Sequence, residues 1–132
     1  MTNIENKDGT FLFKSKPEVV EKGWGREIIF HNDEDYCGKI LIFNKDAKFS
    51  THYHLNKRET WHIRKGKLLL KYFDLETAEE KEILLEKTNT VIINRGFPHQ
   101  LTALEYSEVY EVSTIDDVND SYRIRKGDSQ NA

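Results

Sequence analysis

The sequence predicts an all-β fold, a small sandwich or closed barrel of about ten short strands without a long helix. Three observations carry that expectation. Short runs rich in Val, Ile, Leu, Tyr and Phe recur along the chain, each bounded by polar residues, Gly or Pro. Helix signals are scarce: Pro17 to Lys22 offers at most a turn or two before Gly23. The length of 132 residues, 37% of them hydrophobic, suits a single domain with a real core.

Residues 10–13 read as a first strand. Trp24-Gly25 leads into a second over 26–30, the polar HNDED makes a turn, and 36–43 forms the next strand. Residues 44–46 turn again, with Asp46 able to adopt a left-handed backbone. Strands over 49–54, 59–64 and 67–73 follow, the last two joined as a tight hairpin at Lys65-Gly66. After a charged connection, 82–85, 90–93, 99–104 and 108–114 supply four more. From Asp116 onward the chain is acidic and then mixed in charge, and residues 1–9 and 126–132 are expected to be flexible ends of one domain spanning 1–132.

The net charge of -3 and pI near 6.0 give no basic field, which argues against a nucleic-acid partner. Apolar runs such as Ile40 to Phe43 fall far short of the ~20 residues that span a bilayer, so no membrane partner is expected. Cys37 has no second cysteine to pair with, and the start MTNIENKDGT has neither a basic nor an apolar leader segment; both favour the cytoplasm.

The chemistry concentrates in STHYHLNKRETWHIRKG, residues 50–66. His52 and His54, two apart, leave the same face of an extended strand. Glu59 follows a polar stretch long enough to turn the chain and bring its carboxylate beside them. Far downstream, His99 follows Gly96 and Pro98, which fix a bend and aim the next side chain. Three imidazoles and one carboxylate suit a first-row divalent metal with positions left open for substrate or water. Alternation sends His62 to the opposite face, while Trp61 shares the face of Glu59 and is expected both to line the mouth of the fold and to fill its core. Lys39 alternates with Leu41 and Phe43; if they face inward so does its ammonium, placed to hold a phosphate or carboxylate, while a solvated place on the outer face is the other reading and the favoured one. Arg26, Arg64, Lys71 and Arg95 are weaker anion-binding candidates, Cys37 reads as a packing residue, and Trp24-Gly25 as packing for the first strands.

These residues resemble the cupins, a superfamily of small jelly-roll β-barrels. The first cupin motif, G, five residues, H-x-H, three or four residues, E, six residues, G, is met by His52, His54, Glu59 and Gly66, with Asp46 at the opening Gly. In the second, G, five residues, P-x-G-x-x-H, three residues, N, Gly96 and His99 match, while Thr88, Asn94 and Ala103 replace the first Gly, the Pro and the Asn. KGWGREIIF, GKILIF, the Glu59-x-Trp61 pair and EVSTIDDVNDSYR further resemble the C-terminal cupin domain of type II mannose-6-phosphate isomerases. The chain departs from them in a shorter segment between Asp117 and Tyr122, and in His52 where Gln is frequent.

The resemblance implies a divalent transition metal (Mn, Fe, Ni, Co or Zn) on His52, His54, Glu59 and His99. It also implies a small-molecule substrate, a sugar or sugar phosphate, isomerised or epimerised by proton transfer beside a carbonyl. Glu59 would serve as ligand or proton carrier, with Lys39 and Trp61 against the substrate. Small cupins of this kind commonly pair, so a homodimer is expected. Two other functions share the same ligand set: a small-molecule dioxygenase, and a sugar-binding protein without turnover.

Overall fold

The computed structural model describes residues 12–131. Within them, eleven strands and a single 3-10 turn, Asp128–Gln130, make up the regular structure. Strands β1 (Glu18–Lys22), β2 (Gly25–Asn32), β3 (Cys37–Phe43), β5 (Glu59–Lys65), β8 (Thr90–Ile93) and β10 (Ser107–Ser113) form a six-stranded sheet in the order β1-β2-β3-β10-β5-β8. Strands β4 (Thr51–Tyr53), β6 (Lys67–Phe73), β7 (Glu80–Glu86), β9 (His99–Ala103) and β11 (Tyr122–Arg125) form a five-stranded sheet in the order β11-β4-β9-β6-β7. Every strand pairing is antiparallel. The expected all-β jelly roll is present, with its hydrogen bonds divided between two sheets instead of running round a closed ladder.

The inward faces follow the period of two that strands impose. On β3 the inward residues are Lys39, Leu41 and Phe43, on β5 Glu59, Trp61 and Ile63, and on β10 Val109 and Glu111. Their apolar members meet Leu68, Leu70, Leu85, Leu101 and Ala103 of the facing sheet, with Trp24 and Phe49 packed from the connections. Cross-strand register aligns Val109 with Leu41 and Ile63, and Glu111 with Lys39 and Trp61. The interior is therefore graded: hydrocarbon at one end, and a row of charged side chains at the other.

Several local expectations are corrected. Residues 18–22 form strand β1 and not a helical turn, because Val19 and Val20 are β-branched and pair with Ile28 and Glu27 across the two-residue turn Gly23-Trp24. Lys65-Gly66 does not close a hairpin. Strand β5 pairs with β8 and β10, β6 pairs with β7 and β9, and Gly66 is where the chain crosses between sheets, so Ile63 and Leu68 both face the core from opposite sides. Strand β11 was not anticipated. Residues 10 and 11 of the expected first strand, the expected flexible residues 1–9, and Ala132 lie outside the described residues; Leu12 and Phe13 are not in a strand. The C-terminal segment expected to be loose is instead engaged: the backbone N–H of Asp128 donates to the Lys48 carbonyl (2.9 Å), the Lys48 N–H to the Asp128 carboxylate (2.9 Å), and the Gly23 N–H to the Ser129 hydroxyl (3.0 Å).

Backbone conformation decides two further positions. Gly66 has φ +97°, and a Cβ there would run into the Ser107 hydroxyl and sit 2.6 Å from the Tyr106 carbonyl oxygen. Asp46 (φ 68°) and Thr88 (φ 77°) also occupy the left-handed region, which a β-branched residue rarely adopts. In urea denaturation we expect Gly66→Ala to lower stability by roughly 2 kcal/mol or more, and Thr88→Gly to raise it by about 1 kcal/mol as the strain is relieved.

Candidate metal centre

Strands β4 and β9 bring the histidines together. His52 and His99 are directly paired across the two strands, and His54 projects from just past β4. One nitrogen from each of the three rings lies within 4.8 Å of the others, a spacing that fits a shared ion. Each Nδ1 is occupied by a backbone carbonyl: His52 with Ser50 at 2.8 Å, His54 with Asp120 at 2.6 Å, and His99 with Phe97 at 2.7 Å. A carbonyl can only accept, so Nδ1 carries the proton and each Nε2 lone pair is left for the interior.

Burial, reinforced by the neighbouring rings, holds His52 well below the usual imidazole pKa, and burial takes His99 down to about 4. Burial and the Lys57 charge lower His54 as well. All three are neutral at physiological pH, the form a metal needs. Phe49 packs against His52 and His99, and Trp61 against His99, with ring centroids 5.0, 6.1 and 5.4 Å apart.

Glu59 borders this triangle. Its Oε2 lies 3.5 Å from His54 Nε2 and 3.7 Å from Lys57 Nζ. Two buried atoms here, Glu59 Oε2 and His99 Nε2, have no hydrogen-bond partner. Orphaned buried polar groups are costly, and these two are the kind of atom that ligates a cation. The donor set thus fits a first-row divalent metal held by His52, His54 and His99, with Glu59 at its side.

Behind Glu59 lies a network of two lysines and four carboxylates. Lys57 Nζ donates to Glu111 (3.0 Å) and Asp116 (3.1 Å), and Lys39 Nζ donates to Asp116 (2.9 Å) and Glu27 (3.2 Å). Trp61 Nε1 donates to the second Glu111 oxygen at 3.1 Å. Burial would raise Glu111 and Asp116, but Lys57 and Lys39 outweigh it and hold both carboxyls low. The lysines are raised in turn, burial notwithstanding, chiefly by Glu111. Burial, with the Glu111 charge beside it, pushes Glu59 up. Glu59, pushed up to about 8, is largely protonated at neutral pH in the metal-free protein, so Glu27, Glu111 and Asp116 against Lys39 and Lys57 leave one negative charge, and a cation beside Glu59 would favour its ionised form.

His52 and His54 line a pocket of about 350 Å³, within the usual size range for small-molecule sites. Glu59, Lys39, Lys57 and Glu111 line it with them, as do Lys22 from β1 and Arg123 from β11. Lys39 faces inward with Leu41, against the outer-face position that the sequence reading favoured, and its buried ammonium is already paired with Glu27 and Asp116 instead of being left for a substrate anion. Trp61, expected at the mouth, is fully buried behind Phe49 and His99 and does not line the pocket. Trp24, read as packing, does line it, with one face stacked on Phe43 at 4.6 Å. His62 points outward to Thr90, and burial raises Cys37 to about 11, consistent with a packing thiol.

The sequence reading missed Lys57, Glu111, Asp116 and Asp120. Glu111 left a usable trace. In SEVYEVS it shares the phase of Val109, so the strand carries a glutamate inward (3% exposed) and Val112 outward (57% exposed).

No protein-family model matches the sequence, and no curated protein matches it. Among solved structures, the capsular polysaccharide assembling protein CapF from Staphylococcus aureus superposes with a TM-score of 0.71 at 18% identity, over 85% of this chain and 35% of CapF. Oxalate decarboxylase from Bacillus subtilis, described as having Mn(II) centers, superposes with a TM-score of 0.71 at 18% identity, over 82% of this chain and 30% of the enzyme. The chain spans well under half the length of either, and the likeness is one of fold, the cupin fold.

Replacing Lys57 with Met would leave Glu111 and Asp116 short of a counter-charge. We expect the metal-free protein to lose about 3–5 kcal/mol in chemical denaturation. A loss below about 1 kcal/mol would show that the network contributes as weakly as an exposed ion pair.

Proposed function

We propose that this cupin-fold chain is a metal-dependent isomerase or epimerase of a sugar or sugar phosphate, acting as a cytoplasmic homodimer. The observation that carries the reading is the set of three inward imidazole nitrogens with the unpartnered Glu59 and His99 atoms, of which His52, His54 and Glu59 line a pocket sized for one small polar molecule. The likeness to a protein named for capsular polysaccharide assembly agrees with a sugar-related substrate.

His52, His54 and His99 hold the metal in this reading, with Glu59 beside them. A divalent metal supplies Lewis-acid polarisation of adjacent carbonyl and hydroxyl oxygens. The rest falls to side chains. Glu59 Oε2, unpartnered and next to His54, takes and returns the proton on the carbon beside the carbonyl. Lys57, 3.7 Å from that oxygen and lining the same pocket, is a fixed positive charge favouring the negative charge that develops on the substrate. Trp24, Leu41 and Phe49 give an apolar wall that limits water. An anionic substituent meets Lys22 and Arg123, neither of which is ion-paired among the described residues, in place of the engaged Lys39.

The dimer surface we assign is the outer face of the six-stranded sheet, where Phe30 covers Gly38 and the row continues through Val112 and Ile92. Analytical ultracentrifugation checks it, and a monomer at every concentration would remove this part of the proposal. Among the described residues no helix is long and apolar enough to cross a membrane.

Incubation in D2O with a panel of aldoses, ketoses and their phosphates, with Mn, Fe, Ni, Co or Zn supplied in turn, tests the reaction by NMR. We expect metal-dependent deuterium uptake at the carbon beside the carbonyl, abolished in His52→Ala and His99→Ala. No uptake and no conversion with any pair would overturn the isomerase reading, and oxygen consumption with iron would replace it by the dioxygenase. For a phosphorylated substrate, Arg123→Gln should raise KM about tenfold with little change in kcat, and leave the unphosphorylated sugar unaffected.

A further inference from the structure

We infer that Asp120 is a positioning residue of the metal centre, holding the ligand His54 and the turn that follows it from a distant part of the chain. The inference rests on the metal reading above. Asp120 lies in the connection between β10 and β11 and is 4% exposed, although its neighbours Val118 and Asn119 are exposed. Strand β11 sets its place: Tyr122 pairs with Tyr53 and Arg123 with His52, so the residues just before β11 fall beside the residues just after β4.

There Asp120 acts with both of its acceptor groups. Its backbone carbonyl takes the His54 Nδ1–H at 2.6 Å, fixing which nitrogen of that ring faces the ion. Its carboxylate takes the backbone N–H groups of three consecutive residues: Leu55 at 2.9 Å, Asn56 at 3.1 Å to both oxygens, and Lys57 at 3.0 Å. A run of backbone donors closing on one buried carboxylate is a strong, charge-assisted arrangement. It fixes the turn that carries Lys57 and leads to Glu59. The carbonyl and the carboxylate belong to one residue, so the grip on the turn also holds the carbonyl against His54.

The same segment lines the pocket through Asp117, Val118, Ser121 and Arg123.

The test compares the parent chain, Asp120→Asn and Asn119→Ala. The first of these substitutions turns an amide N–H toward backbone donors where an acceptor is needed. Co(II) titration of each metal-free protein, read by its d–d absorption and by competition with a chromophoric chelator, gives affinity and ligand geometry, and thermal unfolding of the metal-free forms gives stability. We expect Asp120→Asn to weaken Co(II) binding about tenfold or more with a changed d–d band, and Asn119→Ala to match the parent. A folded Asp120→Asn protein that binds within twofold of the parent with an unchanged band would overturn the inference, whatever its stability. Hydrogen exchange on the parent keeps the claim testable if that variant does not fold: metal loading should slow exchange at the Leu55, Asn56 and Lys57 amides, and equal rates would overturn it. A parent chain that takes up no Co(II) would instead bring down the metal reading together with this one.

Discussion

Two ammonium groups and four carboxylates packed between β-sheets impose the constraint on which the site depends. Ions removed from water are tolerated only where opposite charge and hydrogen bonds replace the lost hydration. Glu111 meets that demand with Lys57, Lys39 and the Trp61 indole, and Asp116 meets it with both lysines. Glu59 Oε2 has the Lys57 charge at 3.7 Å but no hydrogen bond, and it lies on the side of the network that faces His54. The graded interior is thus a division of labour along the same strands. The hydrocarbon ends of β3, β5 and β10 hold the sheets together, and their charged ends hold an electrostatic deficit in place.

The orientation of the ligand rings is supplied almost entirely by main chain. Ser50, Phe97 and Asp120 each give a carbonyl to a Nδ1–H, so ring direction follows from backbone paths rather than from side chains that mutation could exchange freely. Two of these carbonyls are local, each two residues from its histidine. The third is 66 residues away, and it makes the geometry of the centre dependent on β11 closing against β4. The C-terminal segment is thus part of the centre's framework.

The sequence was informative where period-two alternation and short-range spacing govern. Strands 67–73 and 90–93 match their expected bounds, and the His52, His54 and His99 convergence was legible from an H-x-H on a strand and a Gly-x-Pro bend. What escaped depends on partners far along the chain. Lys57 reads as one more polar residue in LNKRE until Glu111, 54 positions later, is placed beside it. Strand β11 left no pattern because all four of its residues are exposed and it has no buried face to alternate against. Lys39 shares the phase of Leu41 and Phe43, yet a charged residue reads more readily as solvated, because alternation is silent on the carboxylates that compensate its ammonium inside.

The left-handed torsions at Asp46 and Thr88 bear on how a turn is encoded. Both residues stand where the cupin motifs have glycine, and both retain the backbone angle that glycine makes easy. The glycine-like conformation is present at both corners without glycine itself. The corner is thus specified by its φ and ψ, and a residue other than glycine meets that demand at the cost of local strain.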